Sequence, residues 1–132
     1  MRRTAFFIIT AIFVSLAGVH IFAMTNDVTE VRVGQKVCDE ESKIEIEFVR
    51  VVEDSRCPEG VDCIWAGRAV IEVKAAKAGE SSDIKTLSTN GEDNSFEFAG
   101  YQVHLKRVDP YPKEGTPIAE DAYKAVFKIE KE

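Results

Sequence analysis

Apolar and polar residues alternate with a period of two in almost every long segment of this chain. Ile44, Ile46 and Phe48 alternate with acidic residues, and the same pattern returns at residues 69–75, 101–106 and 123–129. Successive side chains of a β-strand point to opposite faces, so this pattern predicts strands with one buried and one exposed face. About seven short strands roughly ten residues apart predict an all-β fold, either an antiparallel β-sandwich or a small barrel.

Three local features refine this expectation. Residues 49–52 are largely apolar, which predicts a strand that becomes buried on both faces. If the strand at residues 69–75 extends back to Trp65, this residue lies on the same face as the apolar residues, which predicts that its ring packs in the core. Residues 109–117 hold three of the four prolines; this proline-rich segment is expected to cross from one sheet or edge to the other, because proline cannot join a ladder. Residues 116–125 are the place where the sequence best permits a helix.

The N-terminus has the form of a secretory signal. Arg2 and Arg3 precede an apolar run at residues 5–19, which predicts a signal peptide at residues 1–23 and a single β-domain at residues 28–130. An uncleaved anchor is the alternative, because residues 5–24 are about long enough to span a bilayer. The signal predicts an exported protein, periplasmic or extracellular, without membrane contact after cleavage.

The charge balance disfavours two classes of partner. Loss of Arg2 and Arg3 would reduce the 17 basic residues to 15 against 23 acidic ones, so the net charge would move from −6 to −8. Lysines and glutamates are interleaved, and no basic face stands out. Nucleic acid and anionic membrane surfaces repel a protein of this sign.

Two cysteines bracket a turn in the segment that we call the cysteine loop (residues 54–67). Three cysteines permit three single pairings, and export favours a disulfide. Cys57 and Cys63 are the favoured pair because the loop between them is short, which leaves Cys38 as a partly buried, inert thiol near a strand end. A soft-metal or redox site of all three fits poorly, since metal sites favour thiolates two to four residues apart with histidine support. We therefore predict no metal and no cofactor.

The sequence Asp-Ser-Arg-Cys-Pro at residues 54–58, a second cysteine after five further residues and the following x-Trp-Ala-Gly form a specific motif. With Pro-Tyr-Pro at residues 110–112 and Ala-Tyr-Lys-Ala at residues 122–125, this motif resembles a group of small secreted bacterial proteins without an assigned biochemical role. The resemblance spans residues 34–129. It implies an exported β-domain and supplies no catalytic residues, and Cys38 lies outside its pattern.

The candidate binding residues lie in the two irregular segments: Asp54, Arg56, Glu59 and Asp62 in the cysteine loop, and Tyr111 in the proline-rich segment. Loops on a rigid sandwich can vary their contacts without unfolding the core. The sequence therefore predicts a binding module for an extracytoplasmic protein or peptide. Asp54 and Arg56 also have a structural interpretation, in which they pair with each other or with backbone groups at the base of the loop.

An extracytoplasmic enzyme or enzyme accessory domain is the alternative function. It would use carboxylates or His104, which alternates with apolar neighbours and is expected on the polar face of its strand. No serine–histidine–aspartate or cysteine–histidine motif surrounds His104, so no catalytic residue is assigned. The binding hypothesis gains support if the cysteine loop and the proline-rich segment lie at the same end of the fold.

Overall fold

The computed structural model describes residues 28–132, and the predicted signal peptide at residues 1–23 lies outside this range. The described part is built from strands. Eight strands follow one another along the chain: β1 (Val28–Arg32), β2 (Lys36–Cys38), β3 (Glu45–Asp54), β4 (Ala69–Ala76), β5 (Asp83–Ser88), β6 (Ser95–Phe98), β7 (Tyr101–Asp109) and β8 (Lys124–Lys131).

The strands form two four-stranded sheets with the orders β1-β8-β7-β6 and β2-β3-β4-β5. All six pairings between neighbouring strands are antiparallel. The structure therefore confirms the predicted all-β class as a small β-sandwich, with eight strands where the sequence predicts about seven. Within residues 28–132 the only helical element is a 3-10 turn, Glu120–Ala122, inside the segment where the sequence best permits a helix. Among these residues, no helix has the length and apolar content needed to cross a membrane.

The core lies between the two sheets and is formed by the residues whose alternation predicts burial. On β4, Ala69, Ile71, Val73 and Ala75 are fully buried, and the intervening residues from Glu72 onward are only partly buried. The other large side chains of the core cluster that are almost fully buried come from β3, from the residue just before β3, and from β5, β7 and β8: Ile44, Ile46, Phe48, Leu87, Val103 and Phe127. Inward-facing residues of both sheets thus supply one continuous core.

The prediction that β3 becomes buried on both faces is wrong. Register shifts interrupt the pairing of β3 with β4 between Phe48 and Arg50 and again between Val51 and Glu53. A bulge places two residues opposite one on the partner strand and so changes the phase of alternation. Val52 is consequently exposed. The apolar run at residues 49–52 therefore reflects irregular pairing rather than a doubly buried strand.

The proline-rich segment does not cross between sheets, and that prediction is also wrong. It connects β7 to β8, which are hydrogen-bonded neighbours in one sheet. Three prolines keep the connection out of the ladder, as expected, but the chain returns to the same sheet. The segment instead contacts the cysteine loop, which joins β3 to β4 in the other sheet.

Candidate functional site

The cysteine loop and the proline-rich segment lie together at one end of the sandwich. The Glu59 amide donates a hydrogen bond of 2.9 Å to the carbonyl of Pro112, and the Glu114 amide donates one of 3.1 Å to the carbonyl of Glu59. Glu59 also forms a parallel β-bridge with Lys113. These contacts join irregular segments that belong to different sheets. The two loops therefore form one surface, the arrangement that the binding hypothesis requires.

The base of the cysteine loop is closed by backbone hydrogen bonds and by a glycine. The Ser55 amide donates to the Arg68 carbonyl at 2.8 Å, and the Cys57 amide donates to the Ala66 carbonyl at 3.0 Å. Gly67 has φ of +64°, and a Cβ atom added there would lie 1.7 Å from the Ser55 carbonyl oxygen. The close approach of the two arms of the loop therefore requires glycine at this position.

A disulfide bond closes the outer part of the loop. It joins Cys57 to Cys63, whose Cα atoms are 5.9 Å apart, and this is the pairing that the sequence favours. A disulfide in a small β-domain is compatible with an exported protein.

Arg56 is the structural centre of the loop. It is only 8% exposed, and its guanidinium forms a bidentate pair with Asp54, in which Nε and Nη2 each donate at 2.7 Å to a different carboxylate oxygen. Nη1 donates to the Val108 carbonyl at 2.6 Å, and Nη2 donates to the Pro110 carbonyl at 3.0 Å. One side chain therefore ties the end of β3 to the end of β7 and to the start of the proline-rich segment.

Tyr123 completes this buried network. Its hydroxyl donates a hydrogen bond of 3.0 Å to Oδ2 of Asp54. Burial alone would raise the pKa of Asp54, but the hydrogen bonds from Arg56 and Tyr123 and the guanidinium charge outweigh it, so the pKa of this carboxyl lies below its ordinary value. Burial and the hydrogen bond to Asp54 raise the pKa of the Tyr123 phenol. At neutral pH the network therefore holds an ionised Asp54, a charged Arg56 and a neutral Tyr123.

Tyr111 extends the network to the surface. The Arg56 guanidinium carbon lies 5.1 Å from the centroid of the Tyr111 ring, a distance at which the ring quadrupole attracts the cation. Tyr111 is nevertheless exposed. It therefore offers an aromatic surface whose position is set by a buried arginine.

The outer part of the cysteine loop carries two apolar side chains that protrude into solvent, Ile64 and Trp65, which we call the apolar tip. Ile64 is 93% exposed and Trp65 is 81% exposed. The prediction that Trp65 packs in the core is therefore wrong. Residues 63–68 lie outside β4, and Gly67, between Trp65 and Ala69, has a left-handed backbone conformation. The alternation of buried and exposed residues in β4 therefore does not extend back to Trp65.

The predicted binding residues occupy two layers of this end of the sandwich. Asp54 and Arg56 lie in the buried network, where they hold the loop in place. Glu59, Asp62 and Tyr111 are exposed. The inner pair thus has the structural role that the sequence offered as an alternative, and the outer three share the surface with the apolar tip.

The sequence reasoning missed two components of this site. The sequence identifies Tyr123 only as a residue of the last alternating segment and as part of the Ala-Tyr-Lys-Ala sequence, and its partner Asp54 is 69 residues away. Ile64 is not among the predicted binding residues. The available signal was the Ile-Trp pair itself, because it stands between Cys63 and Gly67 and so inside a turn region rather than in a regular strand.

The remaining candidates lie elsewhere. Cys38 is a free thiol at the end of β2, where its backbone pairs with Glu45 at the start of β3. It is exposed, so the prediction that it is partly buried is wrong. The disulfide follows the opposite end of β3, so the three cysteines do not share a site. Within residues 28–132, no group of three histidine, cysteine, aspartate or glutamate side chains is placed to hold a metal ion.

His104 lies on β7, opposite Ser95 of β6, and its Nε2 is 3.7 Å from Oε2 of Glu130. That separation exceeds the length of a hydrogen bond. Among the described residues, no hydrogen bond joins Ser95 to His104. His104 is therefore a partly exposed sheet residue without the aligned partners of a catalytic histidine.

Comparison of this chain with protein-family models, with curated proteins and with solved structures gives no match. The resemblance to small secreted bacterial proteins accordingly stays a prediction.

Proposed function

We propose that this protein is an exported binding module that recognises an extracytoplasmic protein or peptide through the apolar tip and the paired loops around it. The observation that carries the proposal is the exposure of Ile64 and Trp65 side by side on a braced loop. Adjacent exposed apolar side chains of this size are unusual on a soluble surface and are typical of contact sites. Tryptophan is also among the residues that contribute most to binding when a partner buries them.

The rigidity of the loop supports the same function. A loop that must be ordered on binding loses affinity to conformational entropy, whereas a preorganised loop avoids most of that loss. Here the disulfide fixes the outer part and the Arg56 network fixes the base. The apolar tip is therefore presented in one arrangement before any partner arrives.

The length of the cysteine loop also supports a role in binding. Fourteen residues separate the end of β3 at Asp54 from the start of β4 at Ala69, whereas two to five residues suffice to connect a β-hairpin. Loops longer than about 12–15 residues without secondary structure are uncommon in compact domains and are usually either functional or disordered. The hydrogen bonds and the disulfide of the cysteine loop favour the first explanation. A simple connection between β3 and β4 would need neither the disulfide nor the exposed tryptophan.

Site-specific photo-crosslinking tests the proposal. A photoreactive phenylalanine analogue replaces Trp65 in the full chain, expressed in the native envelope, and a second variant carries the same analogue at Ile84. Ile84 is a suitable control because it is 60% exposed and apolar but lies on β5 near the opposite end of the sandwich.

We expect a discrete adduct from position 65 and none from position 84. Excess wild-type protein should abolish the adduct, and excess Trp65→Ser protein should not. No adduct from position 65, or the same adducts from both positions, would contradict the proposal.

A further inference from the structure

A cleft opens beside the cysteine loop at the same end of the sandwich. Its volume is about 300 Å³, and its walls include Arg56, Gly67, Asn90, Lys106, Arg107 and Tyr111. This volume is at the lower end of the range for small-molecule sites. It suits a single side chain or a chain terminus better than a large ligand.

The charge of the cleft is opposite to that of the chain. Three cationic residues line it, Arg56, Lys106 and Arg107, and its only acidic lining residue is Asp109. The whole chain carries a net charge of −6. Even when Asp54 behind Arg56 is included, the cations are in excess. Such a cleft favours an anionic group.

Several N–H groups in the cleft have no acceptor among residues 28–132. Arginine has five N–H donors, and those of Arg56 make four hydrogen bonds, with a single bond from Nη1. One N–H of Nη1 therefore remains available on a side chain that is more than nine-tenths buried. Arg107 uses only Nε, which donates to Asp109 at 2.7 Å, so both its terminal nitrogens are available.

Lys106 adds a positive charge that forms no salt bridge among the described residues, although, after Lys128, it also contributes to lowering the pKa of the nearby Glu130 carboxyl. It is the extra residue at the register shift of β7 between Leu105 and Arg107, and it is exposed. Among the described residues, the nearby salt bridges join Arg107 to Asp109 and Lys128 to Glu130, and none involves Lys106. A bulge commonly redirects a side chain toward a functional surface.

We infer that this cleft binds a carboxylate of the partner, placed between the Tyr111 ring and the Lys106–Arg107 pair, while the neighbouring apolar tip contacts an apolar residue of the same partner. A carboxylate matches the planar N–H edge of an arginine and gains a charge-assisted hydrogen bond from it. The inference rests on the proposed function and adds the chemistry of the partner. The carboxylate has two sources, an acidic side chain or the C-terminus of a peptide chain.

Three short N-acetylated peptides with a common apolar sequence test this assignment by NMR titration of the purified protein. The first has one aspartate and an amidated C-terminus, the second has no acidic side chain and a free C-terminus, and the third has neither carboxylate. Shifts of the Arg107, Asn90 and Tyr111 resonances report on the cleft, and the indole signal of Trp65 reports on the apolar tip.

We expect at least one carboxylate peptide to bind about tenfold or more tightly than the neutral peptide, since hydrogen bonds to charged groups are strong. The peptide that binds identifies the source of the carboxylate. Arg107→Gln should remove most of this preference. Arg50→Gln, the matched control on the other sheet, changes an exposed arginine that also pairs with a carboxylate and should leave the preference intact. Arg56 is not substituted because its loss would disturb the loop.

Equal binding of the three peptides, no cleft shifts up to about 10 mM peptide, or an unchanged preference in Arg107→Gln would overturn the cleft assignment. These outcomes are independent of the crosslinking result. Adducts from position 65 without a carboxylate preference would remove the cleft and leave the proposed function. A carboxylate preference without such adducts would remove the apolar tip as the contact and keep the cleft.

Discussion

Replacing Arg56 with methionine should destabilise the fold far more than replacing a surface arginine. The substitution removes the guanidinium and its four hydrogen bonds. It leaves the Asp54 carboxylate, whose side chain is 11% exposed, with hydrogen bonds only from the Tyr123 hydroxyl and, at 3.4 Å, from the backbone amide of residue 56. Removing one partner of a buried ion pair costs about 3–5 kcal/mol, because the other charge is left uncompensated. This is a large fraction of the stability of a small domain.

Arg50 provides a matched control. Its Nε and Nη2 also contact both carboxylate oxygens of a single partner, Glu72, at 3.4 and 3.1 Å. This pair is solvated, with side chains 57% and 24% exposed. An ion pair of this kind contributes less than about 1 kcal/mol. Urea denaturation followed by far-UV circular dichroism would give both free energies of unfolding, and the reasoning fails if Arg56→Met costs no more than Arg50→Met.

The effect of Arg56→Met should also depend on pH. The pKa of Asp54 is lowered in the folded protein, so its ionised form stabilises the fold above the unfolded value of about 3.9. This stabilisation is lost as the pH falls through the lower, folded value. In Arg56→Met the carboxylate is unpaired and gains stability by taking up a proton. The stability difference between wild type and variant should therefore be largest near neutral pH and shrink below about pH 4; a constant difference would mean that the ion pair is not the cause.

Three further predictions concern the cysteine loop. Gly67→Ala should lower the free energy of unfolding by at least about 2 kcal/mol in urea denaturation, because it adds a steric clash to left-handed strain. Gly79→Ala, with φ of +84° but open space around it, should cost only about 1 kcal/mol, and equal costs would contradict the close approach. Replacing both Cys57 and Cys63 with serine should lower the free energy of unfolding by about 1–3 kcal/mol and leave a folded domain. Alkylation of the native protein without reductant should label Cys38 alone, and a second labelled thiol would mean that the disulfide is absent. Trp65→Ala should change the free energy of unfolding by less than about 0.5 kcal/mol, as for other exposed side chains, and a loss of several kcal/mol would place the ring in the core.

The strands could be predicted from the sequence because alternation is a local signal. The run Ala69, Ile71, Val73 and Ala75 is buried residue by residue as the period of two requires. The prediction failed where the backbone changes phase. Val52 lies at the second register shift of β3, between Val51 and Glu53, and the period of the sequence does not locate a bulge within an apolar run.

The interior of the candidate site could not be predicted, because its contacts join residues that are distant in the chain. Arg56 donates to carbonyls 52 and 54 residues away, and Tyr123 reaches Asp54 across 69 residues. The sequence showed only that Asp54 and Arg56 are near each other. Pairing with each other was one of two interpretations of these residues, and binding of a partner was the other. The Val108 and Pro110 carbonyls that accept from Arg56 are backbone groups, which every residue has, so the sequence does not mark them.

The position of Trp65 shows why burial and function were difficult to separate from sequence. A lone tryptophan beside a disulfide is consistent both with a core and with a contact surface, and only the conformation of Gly67 distinguishes the two. Since Gly67 places the apolar tip outside the sandwich, the ring contributes to neither the core cluster nor the Arg56 network. Substitutions at Trp65 should therefore affect recognition without affecting stability, and substitutions at Arg56 should affect stability first. That separation allows loss of binding in a Trp65 variant to be assigned to the contact itself rather than to unfolding.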